Sequence, residues 1–311
     1  MKIRLLPFLM LTLCTALVFT ACKKDNSSSS DNTDPNTAAT VQSDDQAQVS
    51  EDVDAISNDA EAAVSVESSM SGRVLTWTGC NAVAVADTTG DTKKITITYN
   101  GADCFNARTR TGVIVISMNK GVHWKDAGAV ITINVQNLKI TRTRDNKSIT
   151  INGTKTITNV SGGLLVELAT KDQIVHDINS DGITVTFDNN KERNWKLAIR
   201  RTFEYDNGIV ASEEGTHTEG AISGIAVWGT NRFGNAFSWT IAAPLVVRQD
   251  CNFRLVSGIA VHTGVLGVAT TTFGLDATGV ATSCQGTGSY YFKTVFVSAS
   301  NNNSYTFILP Y

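Results

Sequence analysis

Four oxygen-bearing side chains near the middle of the chain have the spacing of calcium ligands. Asp177, Asn179 and Asp181 stand at alternate positions before Gly182, and Asp188 occupies the twelfth position of the string. Carboxylates converge in this way around a glycine-containing turn when they bind Ca²⁺. The flanking residues alternate as strands do, however, and the twelfth residue is Asp where a bidentate Glu is usual. A plain Asp-Gly hairpin explains the same residues, so we expect no metal and no other cofactor.

Residues typical of catalytic motifs are scattered along the chain. The four histidines are His123, His176, His217 and His262. The sequence contains no His-x3-His pair, no Gly-x-Ser-x-Gly elbow and no phosphate loop, and no cysteine is expected to be free to act as a nucleophile. These observations predict that the protein is not an enzyme.

One tryptophan stands apart from the others. Most of the tryptophans, namely Trp77, Trp228 and Trp239, stand beside apolar residues, which favours core or half-buried positions. Trp124 instead lies between His123 and Lys125 in a segment flanked by glycine. It is therefore our candidate for contact with a ligand.

Paired arginines suggest a charged sheet face. Arg108 and Arg110 are two residues apart, as are Arg142 and Arg144, so each pair projects from one side of a strand. Together with Arg193, Arg200 and Arg201 they form either a ladder for anionic glycans or lipid headgroups, or a solvated face. We favour the second interpretation, with the arginines paired to strand glutamates: Glu192, Glu204, Glu213 and Glu214.

The expected mature domain contains four cysteines: Cys80, Cys104, Cys251 and Cys284. An even number in an exported protein indicates two disulfides, for which three pairings exist. We favour Cys80 with Cys104 and Cys251 with Cys284, because each pair brackets similar strand-like text. A four-cysteine zinc site is disfavoured, since the close spacing typical of such sites is missing.

Cys22 is placed for lipidation. It closes the apolar run of residues 9–21, directly follows the small Ala21 and precedes Lys23. The run is too short to span a bilayer, and basic residues precede it. The layout resembles a bacterial lipoprotein signal, which implies cleavage before Cys22 and acylation of that residue. The alternative is an ordinary secretory signal with an incidental cysteine. Because lysine after the anchor argues against retention at the inner membrane, we expect a lipid anchor in the outer membrane, on either face.

Four segments follow the signal boundary and the changes in composition. Residues 1–21 form the signal, and residues 22–43, rich in Ser, Asn, Asp and Thr, predict a disordered tether. Residues 44–72 predict one short amphipathic helix and a linker; the helix either docks a partner or, as we favour, lies against the following domain. Residues 73–311 form that domain. Without the signal the chain has 24 basic and 29 acidic residues, which argues against a nucleic-acid partner.

From residue 73 onwards the sequence has the period of β-strands. Apolar residues alternate with polar ones at 95–100, 130–135 and 183–187. Turn signals such as Asn152-Gly153 and Asp181-Gly182 separate the runs, and no helical segment intervenes. We therefore predict an all-β domain, an antiparallel meander that forms a sandwich or a curled, barrel-like sheet.

The signal, the acidic helix and five strand or turn segments resemble a family of Bacteroidetes envelope lipoproteins of unknown function. The segments are residues 95–104, 107–116, 152–159, 229–234 and 244–248. The similarity covers most of residues 44–300 and implies an envelope location and an all-β fold, with no catalytic residue. We expect a non-catalytic module that binds a glycan, lipid or peptide. The alternative is an accessory subunit that docks other envelope proteins through a sheet edge or the acidic helix.

Overall fold

Among the residues that the structure describes, alternation of apolar and polar residues produces fifteen strands, and one long helix precedes them. The computed structural model describes residues 35–67, 81–104, 106–251, 253–282, 284 and 290–311. The signal, Cys22, Cys80, Trp77 and the first part of the predicted tether lie outside the described residues. After helix α1 (Pro35–Glu67) the strands are β1 (Ala82–Asp87), β2 (Thr92–Ala102), β3 (Arg108–Asn119), β4 (Ala129–Arg142), β5 (Ser148–Asn159), β6 (Ile174–Phe187), β7 (Glu192–Tyr205), β8 (Ile209–Gly215), β9 (His217–Glu219), β10 (Ile222–Thr230), β11 (Ala236–Arg248), β12 (Arg254–Gly264), β13 (Gly267–Leu275), β14 (Tyr291–Ser298) and β15 (Ser304–Pro310).

All fifteen strands belong to one antiparallel sheet with a barrel-like closure. Neighbours in sequence are neighbours in space from β1 to β7 and from β10 to β15. Along β2, Ile95, Ile97 and Tyr99 are buried while the residues between them are more exposed. The prediction of an all-β meander is confirmed, and of its two forms the curled sheet is the one adopted.

Two short strands share one position in the sheet. β8 pairs with the second half of β7, from Ile199 to Tyr205, and β10 pairs with the first half, from Asn194 to Leu197. On the opposite side both pair with β11. The chain between them forms β9, which pairs with the start of β10. Along their length, β7 and β11 are therefore separated by one strand, which is β8 in one part and β10 in the other.

Helix α1 is longer than predicted. It begins at Pro35, whereas the sequence predicted disorder up to residue 43 and a helix from residue 44. Proline suits the first turn of a helix, because its missing N–H has no partner there. Val49, Ile56 and Ala60 are buried in the same core as the inward side chains of the sheet. The helix therefore lies against the β domain through its apolar side chains, as favoured from the sequence.

Two glycines that suggested turns in the sequence lie inside strands. Gly153 is within β5 and Gly182 within β6, at a register shift between these strands. Gly153 has a φ of 139°, and a Cβ built on it would lie 2.7 Å from the carbonyl oxygen of Gly182. The predicted Asp-Gly hairpin at residues 181–182 is therefore wrong, because a glycine required by a β-bulge looks the same in sequence as one required by a turn.

A disulfide closes the segment that contains β12 and β13. Cys251 ends a 3₁₀ turn after β11 and is bonded to Cys284, with a Cα–Cα distance of 5.1 Å. This pairing was predicted. Cys104 is also disulfide-bonded. Within the described part of the chain, no helix is both long and apolar enough to cross a membrane.

Candidate functional site

The strands around α1 present basic side chains to an acidic helix. The helix contains eight acidic residues and no basic one. Arg142 on β4 donates two hydrogen bonds to Asp44, at 2.8 and 2.9 Å. Further pairs are Arg144 and Lys147 with Asp44, Arg108 with Glu51 and Asp52, Arg110 with Asp59, Arg201 with Asp54, Arg232 with Asp45, and His176 with Glu61.

These contacts correct the interpretation of the arginine pairs. Arg108 and Arg142 are register partners on β3 and β4 and turn toward the helix, not toward solvent. Arg201 pairs with Glu213 as predicted, but it also pairs with helical Asp54. Arg200, one residue earlier, points outward and pairs with Asp177. The arginines therefore hold the protein's own helix, and the helix is not a free docking element.

Charge pairing and burial act in opposite directions on the helix carboxylates. Hydrogen bonds from Arg142 lower the pKa of Asp44 to about 2. Desolvation raises the pKa of the deeper Asp52 to about 6, although Arg108 opposes the shift. Burial also raises the pKa of Asp45 in spite of its contacts with Arg232. The edge of the helix interface is thus held by strong ion pairs, while the deeper carboxylates are costly to ionise.

A buried lysine ties β5 to the helix. The Lys155 ammonium donates to the carbonyl oxygen of Val53 and to the hydroxyl of Ser57, both at 2.5 Å. The side chain is only 1 % exposed, and burial lowers its pKa below the usual value even though Asp54 and Glu61 favour the charged form.

This lowered pKa predicts a specific pH dependence. Between the folded-state pKa of about 7 and the unfolded pKa near 10.5, the folded protein binds fewer protons at Lys155 than the unfolded chain does. The wild-type protein should therefore gain stability through Lys155 as the pH rises from about 7 to 10, by on the order of 1–3 kcal/mol, and Lys155→Met should lack this gain. Urea unfolding of both proteins at several pH values tests the prediction. Parallel pH profiles would contradict it.

A large cavity separates the other side of α1 from the sheet. Its volume is about 1010 Å³, at the upper end of the range for small-molecule sites. The sheet contributes mainly apolar side chains, among them Ile178, Leu197, Ile199, Phe203, Val227 and Leu245. The alternate β7 residues from Trp195 to Phe203 all line it, so its length along the strand is about 26 Å. The cavity is therefore long and mostly apolar.

An ion-pair cluster lies in the wall of this cavity, toward the Phe203 end of β7. Arg201 donates from Nε to Glu213 at 2.6 Å and from a terminal nitrogen to Asp54 at 3.2 Å. Glu213 comes from β8 and Asp54 from the helix, so the three side chains join two strands to α1. The two carboxylates raise the pKa of Arg201 despite its burial, and burial raises the pKa of Asp54. The arginine charge is thus used within the protein.

A second polar group near the Arg201 cluster has unused hydrogen-bonding capacity. His176 on β6 is 1 % exposed, and its Nδ1 lies 3.2 Å from Oε2 of Glu61 without forming a hydrogen bond. Both ring nitrogens of His176 and Oε1 of Glu61 are buried without a hydrogen-bond partner among the described residues. Trp195 Nε1 is also buried without a hydrogen-bond partner among the described residues. All three residues line the cavity.

Trp124 is part of this site but not in the way its sequence suggested. It is 2 % exposed, and its ring centroid lies 5.1 Å from that of His176. On the other side of His176, the ring of Phe203 lies at 5.3 Å. Asn159 donates to the carbonyl oxygen of Trp124 and so fixes the turn. The structure thus places Trp124 in the cavity wall, where it holds His176 against Phe203.

The calcium candidate does not form a loop. Asp177, Asn179 and Asp181 lie at successive outward positions of β6, and Asp188 follows the end of that strand. An extended strand separates Asp177 from Asp188 by about 36 Å, so these side chains do not converge. Asp177 accepts two hydrogen bonds from Arg200, both at 2.8 Å. The oxygen spacing reflects an outer strand face and not a calcium site.

His176, Glu61 and Arg201 were not singled out as a site from the sequence. The sequence predicts Arg201 as a cation of a solvated strand face and His176 as one of four scattered histidines. Only the alternation of β6 and β7 indicates which face they occupy, and it does not show that the helix returns to that face. The length of the apolar runs likewise gives no sign of a cavity.

Comparisons with known proteins add no relative. No protein family matches the sequence. Searches of curated proteins and of solved structures likewise find no match.

Proposed function

We propose that the protein is a non-catalytic binding protein, anchored in the bacterial outer membrane by acylated Cys22, that holds an apolar ligand between α1 and the sheet. The observation that carries the proposal is the cavity of about 1010 Å³ with a mostly apolar lining. Of the three ligand classes expected from the sequence, a lipid or similar long-chain molecule suits such walls best. A glycan or a peptide has many polar groups, and each costs free energy when it is buried without a partner.

The length of the cavity supports a chain-like ligand. Its alternate β7 residues extend over about 26 Å, which a compact drug-sized molecule leaves mostly unfilled. Exposed apolar side chains among the lining residues mark where it opens: Val166 is 88 % and Phe253 60 % exposed. As an apolar chain enters there, each of its methylene groups moves from water into contact with apolar side chains.

Adding bulk to the cavity wall should weaken ligand binding. Leu197→Trp adds bulk to a buried β7 side chain that lines it, while Val130→Trp makes a similar change at an outward β4 residue that is 43 % exposed. Both are made in the full chain carrying Cys22→Ser, so that no anchor lipid is present. We expect the apolar probe N-phenyl-1-naphthylamine to bind Leu197→Trp at least about tenfold more weakly than the parent, with Val130→Trp unchanged. Equal binding to all three proteins would overturn the proposal.

A second candidate function is that of an accessory subunit in an envelope assembly. Strand β15 pairs with β14 alone among the described strands, and Tyr305, Phe307 and Leu309 on it are 42–49 % exposed. Such an edge offers backbone groups and apolar side chains to another protein. Cross-linking of the anchored protein in its native cells tests this function. A stoichiometric partner lost with Phe307→Asp would support it, and the absence of any cross-linked partner would count against it.

A further inference from the structure

One end of the sheet carries most of the large apolar side chains that are exposed outside the strands. It is the mouth end, at which β7 finishes and the cavity opens. The strand registers place the connections β5–β6, β7–β8, β11–β12 and β13–β14 there. Among the described residues, five such side chains lie in these connections: Val160, Leu165, Val166, Phe253 and Val280. The opposite end carries two, Phe233 and Val265.

The 3₁₀ turn that carries Val166 is fixed to the domain. It comprises Leu165–Thr170, and its buried Leu168 packs in a cluster with Phe203 of β7. Val166 nevertheless points away from this cluster and is the most exposed of the large apolar side chains. Its exposure is therefore a property of a well-packed turn and not of a loose loop.

Phe253 is held outward in a similar way by the connection β11–β12. Its φ of 53° lies in the left-handed region, which bulky residues rarely adopt. Cys251, two residues earlier, is buried and bonded to Cys284, and the Gln249 side chain accepts a hydrogen bond from the backbone N–H of Ile209. The connection is thus tied down on both sides while its aromatic ring stays exposed. Unfavourable backbone conformations of this kind concentrate at functional sites.

We propose that the mouth end inserts its apolar side chains into the surface of a lipid bilayer, from which the ligand passes directly into the cavity. This inference rests on the proposed function. Exposed apolar groups gathered in one place mark contacts with proteins or membranes. Here Val166 and Phe253 also line the cavity, so apolar surface continues from its interior to the outside.

The ligand class favours a bilayer over a protein as the occupant of this surface. A long apolar chain that crossed water between a membrane and the cavity would expose all its methylene groups, and the cost grows with each of them. Contact between the mouth end and the bilayer removes that step. The apolar side chains also stand on separate connections, as suits insertion between lipids, and do not form one flat face.

The charges at the mouth end do not select anionic headgroups. The basic residues of its connections are Lys120, Lys125 and Lys171. The acidic residues are more numerous: Asp91, Asp126, Glu167, Asp172, Asp206, Asp250 and Asp276. Attraction between a basic surface and anionic lipids is therefore not the basis of binding, and apolar insertion carries it. The matching surface is a bilayer of zwitterionic lipids.

Sedimentation with phosphatidylcholine vesicles tests the inference. The parent is the full chain carrying Cys22→Ser, so that no anchor lipid is present. Val166→Asp with Phe253→Asp places two charges at the mouth end. Phe233→Asp with Val265→Asp makes the same change at the opposite end, where these side chains are 43 and 60 % exposed. We expect the parent and the opposite-end variant to bind equally, and the mouth-end variant at least about tenfold more weakly. Equal binding of all three proteins, no binding of the parent, or binding that disappears at high salt would overturn the inference.

A fluorophore shows which end meets the bilayer. Val166→Cys and Val265→Cys are each made in the same parent and labelled with nitrobenzoxadiazole, whose emission rises and shifts to the blue when it leaves water. Vesicles should produce this change at position 166 and not at position 265. A change at both positions, or at neither, would overturn the assignment of the mouth end.

Two further measurements separate this inference from its alternatives. Vesicle binding by a parent that does not bind N-phenyl-1-naphthylamine would overturn the proposed function, whereas probe binding without vesicle binding would overturn the inference alone. A mouth end that joined two copies of the chain would give twice the monomer mass in light scattering for the parent, and the monomer mass for the Val166→Asp, Phe253→Asp variant. That result would also overturn the inference.

Discussion

Replacing Arg201 with leucine is expected to lower the free energy of unfolding by about 3–5 kcal/mol. Arg201 is 7 % exposed and pairs with Glu213 and Asp54, which come from different elements. Leucine leaves Glu213, whose side chain is 21 % exposed, without its charge partner in a poorly solvated wall, whereas Asp54, at 45 % exposed, keeps contact with solvent and contributes less. Removing one partner of a buried ion pair costs much more than the pair contributes, because the remaining charge is then uncompensated.

The neighbouring residue gives a matched control. Arg200 makes two good hydrogen bonds to Asp177, but its side chain is 46 % exposed. Arg200→Leu should therefore cost no more than about 1 kcal/mol. Urea unfolding of both variants measures the difference. Similar losses in the two variants would show that the Arg201 cluster is not acting as a buried network.

The cost of losing Arg201 should depend on pH. Burial and the Glu213 charge already raise the folded-state pKa of Asp54, and removal of Arg201 raises it further. A raised carboxyl pKa penalises the folded state at pH values above it, and the penalty disappears as the pH falls toward the unfolded pKa. Arg201→Leu should accordingly be more destabilised at pH 8 than at pH 5. A deficit that grows on acidification would contradict this explanation.

The double substitution Cys251→Ser, Cys284→Ser is expected to cost about 2–4 kcal/mol. The disulfide has a sequence separation of 33 residues, and a cross-link over such a loop mainly lowers the entropy of the unfolded chain. Because β12 and β13 lie within the loop, they should also become more sensitive to limited proteolysis. Unfolding in guanidinium under non-reducing conditions measures the loss. A variant as stable and as protease-resistant as the parent would show that pairing with β11 and β14 alone holds this part of the sheet.

Local signals in the sequence account for the parts of the fold that were predicted. Alternating Ile and Thr at residues 95–98 lie in β2, and residues 130–135 lie in β4, because a strand with one buried face requires that period. The Cys251–Cys284 pair was also predicted, because each of the two favoured cysteine pairs encloses a similar strand-like sequence. In contrast, the turns predicted at Asn152-Gly153 and Asp181-Gly182 are wrong. Glycine is favoured both where two backbones approach closely at a bulge and where the chain reverses.

The candidate site was harder to predict because its contacts are distant in sequence. Asp44 meets Arg142 and Asp45 meets Arg232, yet no pattern in either segment indicates the other. The helix was expected to lie against the following domain, but no residue in it indicated which charges it would meet, and the arginines suggested a solvated strand face. Only the closure of the sheet around α1 brings the two together. Trp124 was chosen for a neighbourhood that suggested exposure, and it reached the cavity wall through a turn held by Asn159.

The basic partners of α1 lie far from it in sequence, so the ion pairs between them form late in folding. A chain made from its N-terminus releases the helix segment first, with eight negative charges and no cation of its own. Arg232, which holds Asp45, follows 187 residues later. Contacts of such separation form late and slowly, so the early helix segment waits without its charge partners while the strands emerge. A chain that ends before Arg232 would lack this ion pair and remain accessible to proteases and chaperones. The ion pairs between α1 and the basic side chains are therefore completed only after the central strands of the sheet have been synthesised.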